Sequence, residues 1–164
     1  MRWSFQLALH DLMKRDERVF LLWADVGAGL FKKHREDFPT RCLNAGTMEQ
    51  STVSMAAGMA MQGFRPIVYT ITPFLIERAF EQIKLDVDQM NLPVGLVGHS
   101  DDSCGPTHKE RDAVAMMKML PNIQARYPYY KDDIRQLIPP LGFASTLAPV
   151  DYDRPWFMAL KTVA

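Results

Sequence analysis

The chain alternates between short continuous apolar runs and longer stretches with an apolar residue every three or four positions. Short runs of this kind read as strands buried on both faces, and the longer spacing reads as amphipathic helix. Residues 3–15 place Trp3, Leu7, Leu9 and Met13 at helical spacing, with Lys14 and Arg15 in the last turn. Val19 to Trp23 is a buried strand that enters the turn Ala24-Asp25-Val26-Gly27. Arg41 to Ala45 predicts a second short strand. Thr47 is then expected to cap a helix, with Gln50 completing a capping box, and that helix should stop near Gly63. Pro66 to Ile71 is a β-branched strand. Residues 74–90 predict a long helix with Phe74, Ile76, Phe80, Ile83, Val87 and Met90 on its apolar face. Val94 to Val97 is a strand feeding the loop from Gly98 to His108. Helix is expected over Lys109 to Leu120, strand over Ile123 to Tyr127, a short helix over Asp132 to Ile138 before Pro139-Pro140, and a last strand over Trp156 to Thr162.

Strands alternating with helices predict an α/β fold, a three-layer α/β/α arrangement around a mostly parallel sheet. The loops at 25–29, 45–49, 71–74 and 98–108 all follow strands. They should gather at the carboxyl edge, where such sheets bind ligands. The 164 residues suit one domain, 1–164, able to bury about 68–70% of its unfolded surface. Composition is that of an ordinary globular protein, 48% hydrophobic and 23% charged. Zero net charge and no long basic run argue against nucleic acid as partner. No apolar run nears the ~18 residues that a membrane span needs. The start is broken by Gln6, His10 and Asp11 and does not read as a signal peptide. Cys42 and Cys104 form no metal or redox spacing, so a reduced, cytoplasmic setting is expected. Met55, Met59, Met116 and Met119 fall at helical spacing and read as core filling.

The stretch from Asn44 to Pro66 carries the most chemical information. A glycine turn feeds Glu49 into the first turn of a helix built of small residues and Met. Alone, an acidic residue there is what the helix dipole favours. Other pieces change the picture: Ala24-Asp25 after the first strand, Gly46-Thr-Met-Glu-Gln50, Ala56-Ala57-Gly58, Tyr69-Thr70, Phe74-Leu75, Leu92-Pro93-Val94 and Gly105-Pro-Thr-His108. In this order and spacing, from about Val19 to Lys161, the chain resembles the pyrimidine-binding domain of the transketolase family, whose cofactor is thiamine diphosphate.

The resemblance implies roles for particular residues. Glu49 would be catalytic: it would hydrogen-bond a ring nitrogen of the cofactor's aminopyrimidine and favour the imino form of the exocyclic amine. Phe74 and Phe80 would lie against that ring, with Phe80 in place of the family's usual tyrosine. Glu77 stands where some members carry a stacking phenylalanine. Asp25 would line the cofactor pocket. His99 and His108 would contact the substrate, and Lys161 would replace a phosphate-binding arginine as a point charge. Cys104 stands where sugar transketolases carry an aspartate, and a thiol is a poor substitute for a carboxylate as acceptor. The usual sugar-phosphate pair is therefore in question.

The chain lacks the Gly-Asp-Gly followed by Asn that holds Mg²⁺ and the diphosphate in this family, and the family's third domain is not expected within it. The resemblance thus implies a separate diphosphate-binding subunit that holds Mg²⁺, an α2β2 assembly, and a sugar or 2-oxo acid substrate. The reaction implied is transfer of a two-carbon unit to an aldehyde. Two alternatives stay open: the β subunit of a 2-oxo acid dehydrogenase, and a non-catalytic relative that binds or regulates another protein.

Overall fold

The computed structural model describes residues 1–101, 104–109, 112–138 and 150–160. Among them, β1 (Val19–Trp23), β2 (Cys42–Asn44), β3 (Arg65–Ile71), β4 (Gly95–His99), β5 (Gln124–Arg126) and β6 (Trp156–Leu160) form one sheet. Its order is β2-β1-β3-β4-β6-β5, and every pairing is parallel. The central strands lie under helices on both sides, which is why β3, β4 and β6 read as nearly unbroken apolar runs.

Two apolar layers flank the sheet. On one face, Phe5, Leu9 and Met13 of α1 (Arg2–Arg15) and Ile134 and Leu137 of α6 (Lys131–Leu137) pack on Leu21, Trp23, Tyr69 and Met158. Phe31, just before α2 (Lys32–Asp37), completes that layer. On the other face lie Val53, Ala56 and Ala60 of α3 (Glu49–Met61) and Ile76, Ile83 and Val87 of the next helix. Ala113 and Met117 of α5 (Ala113–Lys118) join them over Val68, Leu96 and Phe157.

That next helix, α4, joins two π-type segments, Phe74–Arg78 and Ile83–Asp88, through a short α segment, Phe80–Gln82. Its buried residues are Leu75, Ile76, Ala79, Ile83, Val87 and Asp88. Met90, expected on the apolar face, is exposed. Glycine is required at two contacts across the sheet. A Cβ on Gly95 would fall inside the Trp156 indole, and one on Gly98 would lie 2.6 Å from Thr72 Oγ1 and 2.8 Å from Thr72 Cα.

Several expectations need correction. Thr47 makes no cap: α3 begins at Glu49 after Met48, with no side-chain cap. The turn through Gly46, at φ +72°, brings the chain into the helix three residues later. Helix is absent over the described residues that follow Lys109 until Ala113, because Asp112 caps α5 by accepting from Ala115 N at 2.9 Å. A 3₁₀ turn, Pro106–His108, precedes it. α2 was not anticipated, since its residues are almost all charged. Met55 and Met119 face outward rather than filling the core, and Met116 is half-buried against it. The last strand was expected to reach Thr162; residues 161 and 162 lie outside the described residues.

Candidate functional site

The parallel sheet brings the ends of β1, β2, β3 and β4 to one edge, and the four loops after them meet there. At the end of β1, Asp25 adopts the left-handed region at φ +58°. Asn44, at the end of β2, holds it: Asp25 N donates to Asn44 Oδ1 at 3.0 Å, and Asn44 Nδ2 donates to Asp25 Oδ1 at 3.3 Å. Asn44 Oδ1 also accepts from Gly46 N at 3.1 Å. Asn44 thereby fixes the turn that delivers Glu49, a role that sequence reasoning missed.

Glu49 is the first residue of α3 and only 1% exposed. Helix N-termini favour a carboxylate, yet a buried charge needs a partner. Arg78 supplies it, Nη1 donating to Glu49 Oε2 at 3.0 Å. Oε1 is buried and has no hydrogen-bond partner among the described residues. The Arg78 guanidinium also lies over Phe74, 4.1 Å from the ring centre. Phe74 also meets His108 edge-on, with ring centres 4.8 Å apart. Four side chains thus form a continuous run: Glu49, Arg78, Phe74, His108. Arg78 has no signature beyond its i+4 spacing from Phe74, and the sequence pattern assigns it no part.

Phe80 lies elsewhere, half-buried against the core layer beneath α3 and α4. Glu77, next to Arg78, is exposed. His99 faces the opposite side of the sheet from Phe74. It is fully buried, its ring stacks on Tyr69 at 5.0 Å, and its Nδ1 donates to Thr70 O at 3.0 Å. Burial, with the charge of Arg2 adding to it, pushes its pKa down to about 4. His99 and His108 therefore occupy different surroundings. Cys104 is exposed at the start of the Gly-Pro-Thr-His turn, and Lys161 lies outside the described residues.

The residues present fit an aminopyrimidine. A buried carboxylate offers one oxygen without a partner, and an aromatic face stands beside it. Thr70 and Thr72 hydroxyls, also buried and without hydrogen-bond partners, belong to the end of β3 and the turn into α4. Among the described residues, no three His, Cys, Asp or Glu side chains gather to hold a metal ion. No described helix is long and apolar enough to cross a membrane.

Six parallel strands between helices, with a buried carboxylate at the carboxyl edge, define a doubly covered α/β domain whose ligands are expected at that edge. The chain belongs to the family described as transketolase, pyrimidine binding domain, which it matches over residues 1–139. It is 34% identical over 160 residues to 1-deoxy-D-xylulose-5-phosphate synthase 1 of Geobacter metallireducens, covering 92% of this chain and 23% of that enzyme. It is 41% identical over 107 residues to an apulose-4-phosphate transketolase subunit of Actinobacillus succinogenes, covering 63% of this chain and 34% of that subunit. A solved split-gene transketolase, an inactive beta4 tetramer, shares the fold with a TM-score of 0.78 at 23% identity over 98% of this chain and 50% of its own. The chain spans less than half the length of the curated relatives it matches.

Proposed function

We propose that this chain is the pyrimidine-binding half of a thiamine-diphosphate-dependent transferase of transketolase type. In this reading a separate subunit holds the diphosphate and Mg²⁺. The observation that carries it is Glu49, buried to 1% exposure at the carboxyl edge of the sheet with Oε1 left without a partner. A ring nitrogen of the aminopyrimidine would take that oxygen, and Phe74 would offer its face to the ring. Thiamine diphosphate, when bound, supplies a thiazolium carbon that acts as nucleophile and electron sink. The chain's own part is to hold and move a proton at the ring nitrogen through Glu49. His108, beside Phe74, would donate a hydrogen bond to a substrate oxygen. Asp25 would line the pocket wall through its link to Asn44.

The relative that is itself one subunit of a transketolase and the inactive beta4 assembly of the split-gene neighbour support a partner-dependent enzyme, with α2β2 as the expected assembly. The Gly105-Pro-Thr-His108 turn favours ketol transfer from a ketose or 2-oxo acid donor to an aldehyde. Cys104 argues for an acceptor whose hydroxyls are not read by a carboxylate.

The test begins with the partner. Whatever co-purifies with the chain from its native host should be a protein carrying Gly-Asp-Gly and a downstream Asn. The reconstituted pair should then show thiamine-diphosphate-dependent ketol transfer. Glu49→Gln should lower the rate by ~10²–10⁴-fold with the assembly intact. A partner of unrelated type, or full activity in Glu49→Gln, would sink the reading. Oxidative decarboxylation of a 2-oxo acid by the pair would move it to the dehydrogenase alternative.

A further inference from the structure

Arg78 lies on both groups that an aminopyrimidine would use. It bonds Glu49 Oε2 at 3.0 Å and covers Phe74 at 4.1 Å. A guanidinium is flat, carries its N–H donors in the plane and stacks by its face. An aminopyrimidine is also flat, meets a carboxylate with its edge and stacks with its face. The two must compete for the face of Phe74, and both would pair with one carboxylate, the guanidinium at Oε2 and the ring at the unpartnered Oε1.

Burial makes the competition obligatory. Oε1 of Glu49 is sealed from solvent, so no ring reaches this carboxylate until a covering group moves. Sheet and α3 backbone are fixed by their hydrogen bonds. Arg78 is held more lightly: its side chain is 40% exposed, against 1% for Glu49, and it stands on a long flexible stem in a π-type segment. Its departure alone would leave a buried carboxylate unpaired, which is costly. A ligand that brings an N–H or a protonable ring nitrogen removes that cost at once.

We propose that Arg78 is a displaceable plug in the aminopyrimidine site, an inference that rests on the reading of Glu49 and Phe74 as the ring's contacts. The guanidinium holds the place of the ring and yields it only to a flat ligand that restores the bond to Glu49. The plug thereby selects against flat apolar molecules, which could cover Phe74 but would strand the carboxylate.

The probe is 4-amino-2-methylpyrimidine, titrated into the full-length chain and followed by ligand-observed NMR. Arg78→Met keeps a stem of similar length and removes the guanidinium. If about a tenth of the chains are open at equilibrium, this variant should bind about tenfold tighter, because apparent affinity scales with the open fraction. Arg78→Lys should fall between the two, since an ammonium still pairs with Glu49 but cannot stack as a flat fork. Free guanidinium ion should compete with the probe in Arg78→Met. Circular-dichroism melting establishes that each variant folds; if Arg78→Met does not melt cooperatively, Arg78→Lys carries the test with the same sign. Equal or weaker binding by the folded Arg78 variants overturns the plug. If Glu49→Gln loses the binding that the wild type has while the Arg78 variants bind no tighter, the failure belongs to the plug alone. If the wild type and every Arg78 variant bind nothing, the aminopyrimidine reading fails and the plug falls with it.

Discussion

Glu49 is held by two constraints that pull in opposite directions. Its place at the start of α3 and its ion pair with Arg78 stabilise a charge, while burial penalises one. Such a conflict is common where a group is kept for chemistry rather than stability. The same tension appears without charge at Gly98. There a bare backbone lets Thr72 cross over β4, and the turn it opens delivers Phe74 and Arg78. Gly98→Ala would place a methyl 2.6 Å from Thr72 Oγ1 and 2.8 Å from its Cα. Because the nearer neighbours include backbone, the turn must shift, at a cost of about 1–3 kcal/mol. Urea midpoints should fall accordingly, and the 4-amino-2-methylpyrimidine probe should bind more weakly as Phe74 moves. Wild-type values on both measurements would mean that Thr72 does not fix the site. At this scale the sequence showed Glu49, Phe74 and His108 through their surroundings. Arg78 and Asn44 escaped because an Arg on a helix and an Asn at a strand end are ordinary on any surface; only three-dimensional partners give them a role.

Elements that depend on local pattern were the most legible. The strands of the sheet centre are nearly unbroken apolar runs, so burial on both faces marks them without reference to anything distant. Helices were read less well wherever their geometry departs from 3.6 residues per turn. In α4 the buried apolar set is Leu75, Ile76, Ala79, Ile83 and Val87, carried largely by two π-type segments. An ideal α pattern therefore misassigned Met90 and passed over Leu75 and Ala79. α5 was drawn too long for a different reason: Lys109 looked helical, whereas the cap is Asp112, whose carboxylate takes Ala115 N at 2.9 Å. Asp112→Ala should lower stability by about 1 kcal/mol, the usual cost of a lost cap. Asp112→Ser should recover most of it. Hydrogen exchange should show the loss at the Ala115 amide and its neighbours. Unchanged protection there would mean that packing of Ala113 and Met117 alone sets the start of α5.

For the molecule as a whole, two buried histidines set the response to acid. His34 packs edge-on against Phe31 and His10, and burial, reinforced by His10, pushes its pKa to about 4 from 6.5. His99, on the same face of the sheet, is displaced to about 4 by the same cause. Both are neutral when folded, whereas the unfolded chain protonates them near 6.5. Between those values the unfolded state holds more protons, so stability rises with pH there. It is complete above 6.5 and lost as pH falls toward 4, on the order of 3 kcal/mol for each group. Carboxylates act in a separate window. Asp16, held below 3.8 mainly by its hydrogen bond from Arg18, and Asp37, held below it by Lys33 and then His10, give up their contribution only below that value. Urea unfolding between pH 7 and 4 therefore isolates the histidines. His34→Phe and His99→Phe should each flatten part of the slope, and the double variant should remove most of it. The two positions are joined by one apolar layer through Phe31 and Tyr69, whose rings meet at 4.9 Å, so their effects need not add. A slope that survives in the double variant would place the acid sensitivity outside this layer. A slope lost entirely with His99 would locate it at the edge that carries the candidate site, so that mild acid would loosen the end of β4 and the Gly105-Pro-Thr-His108 turn before the rest of the sheet.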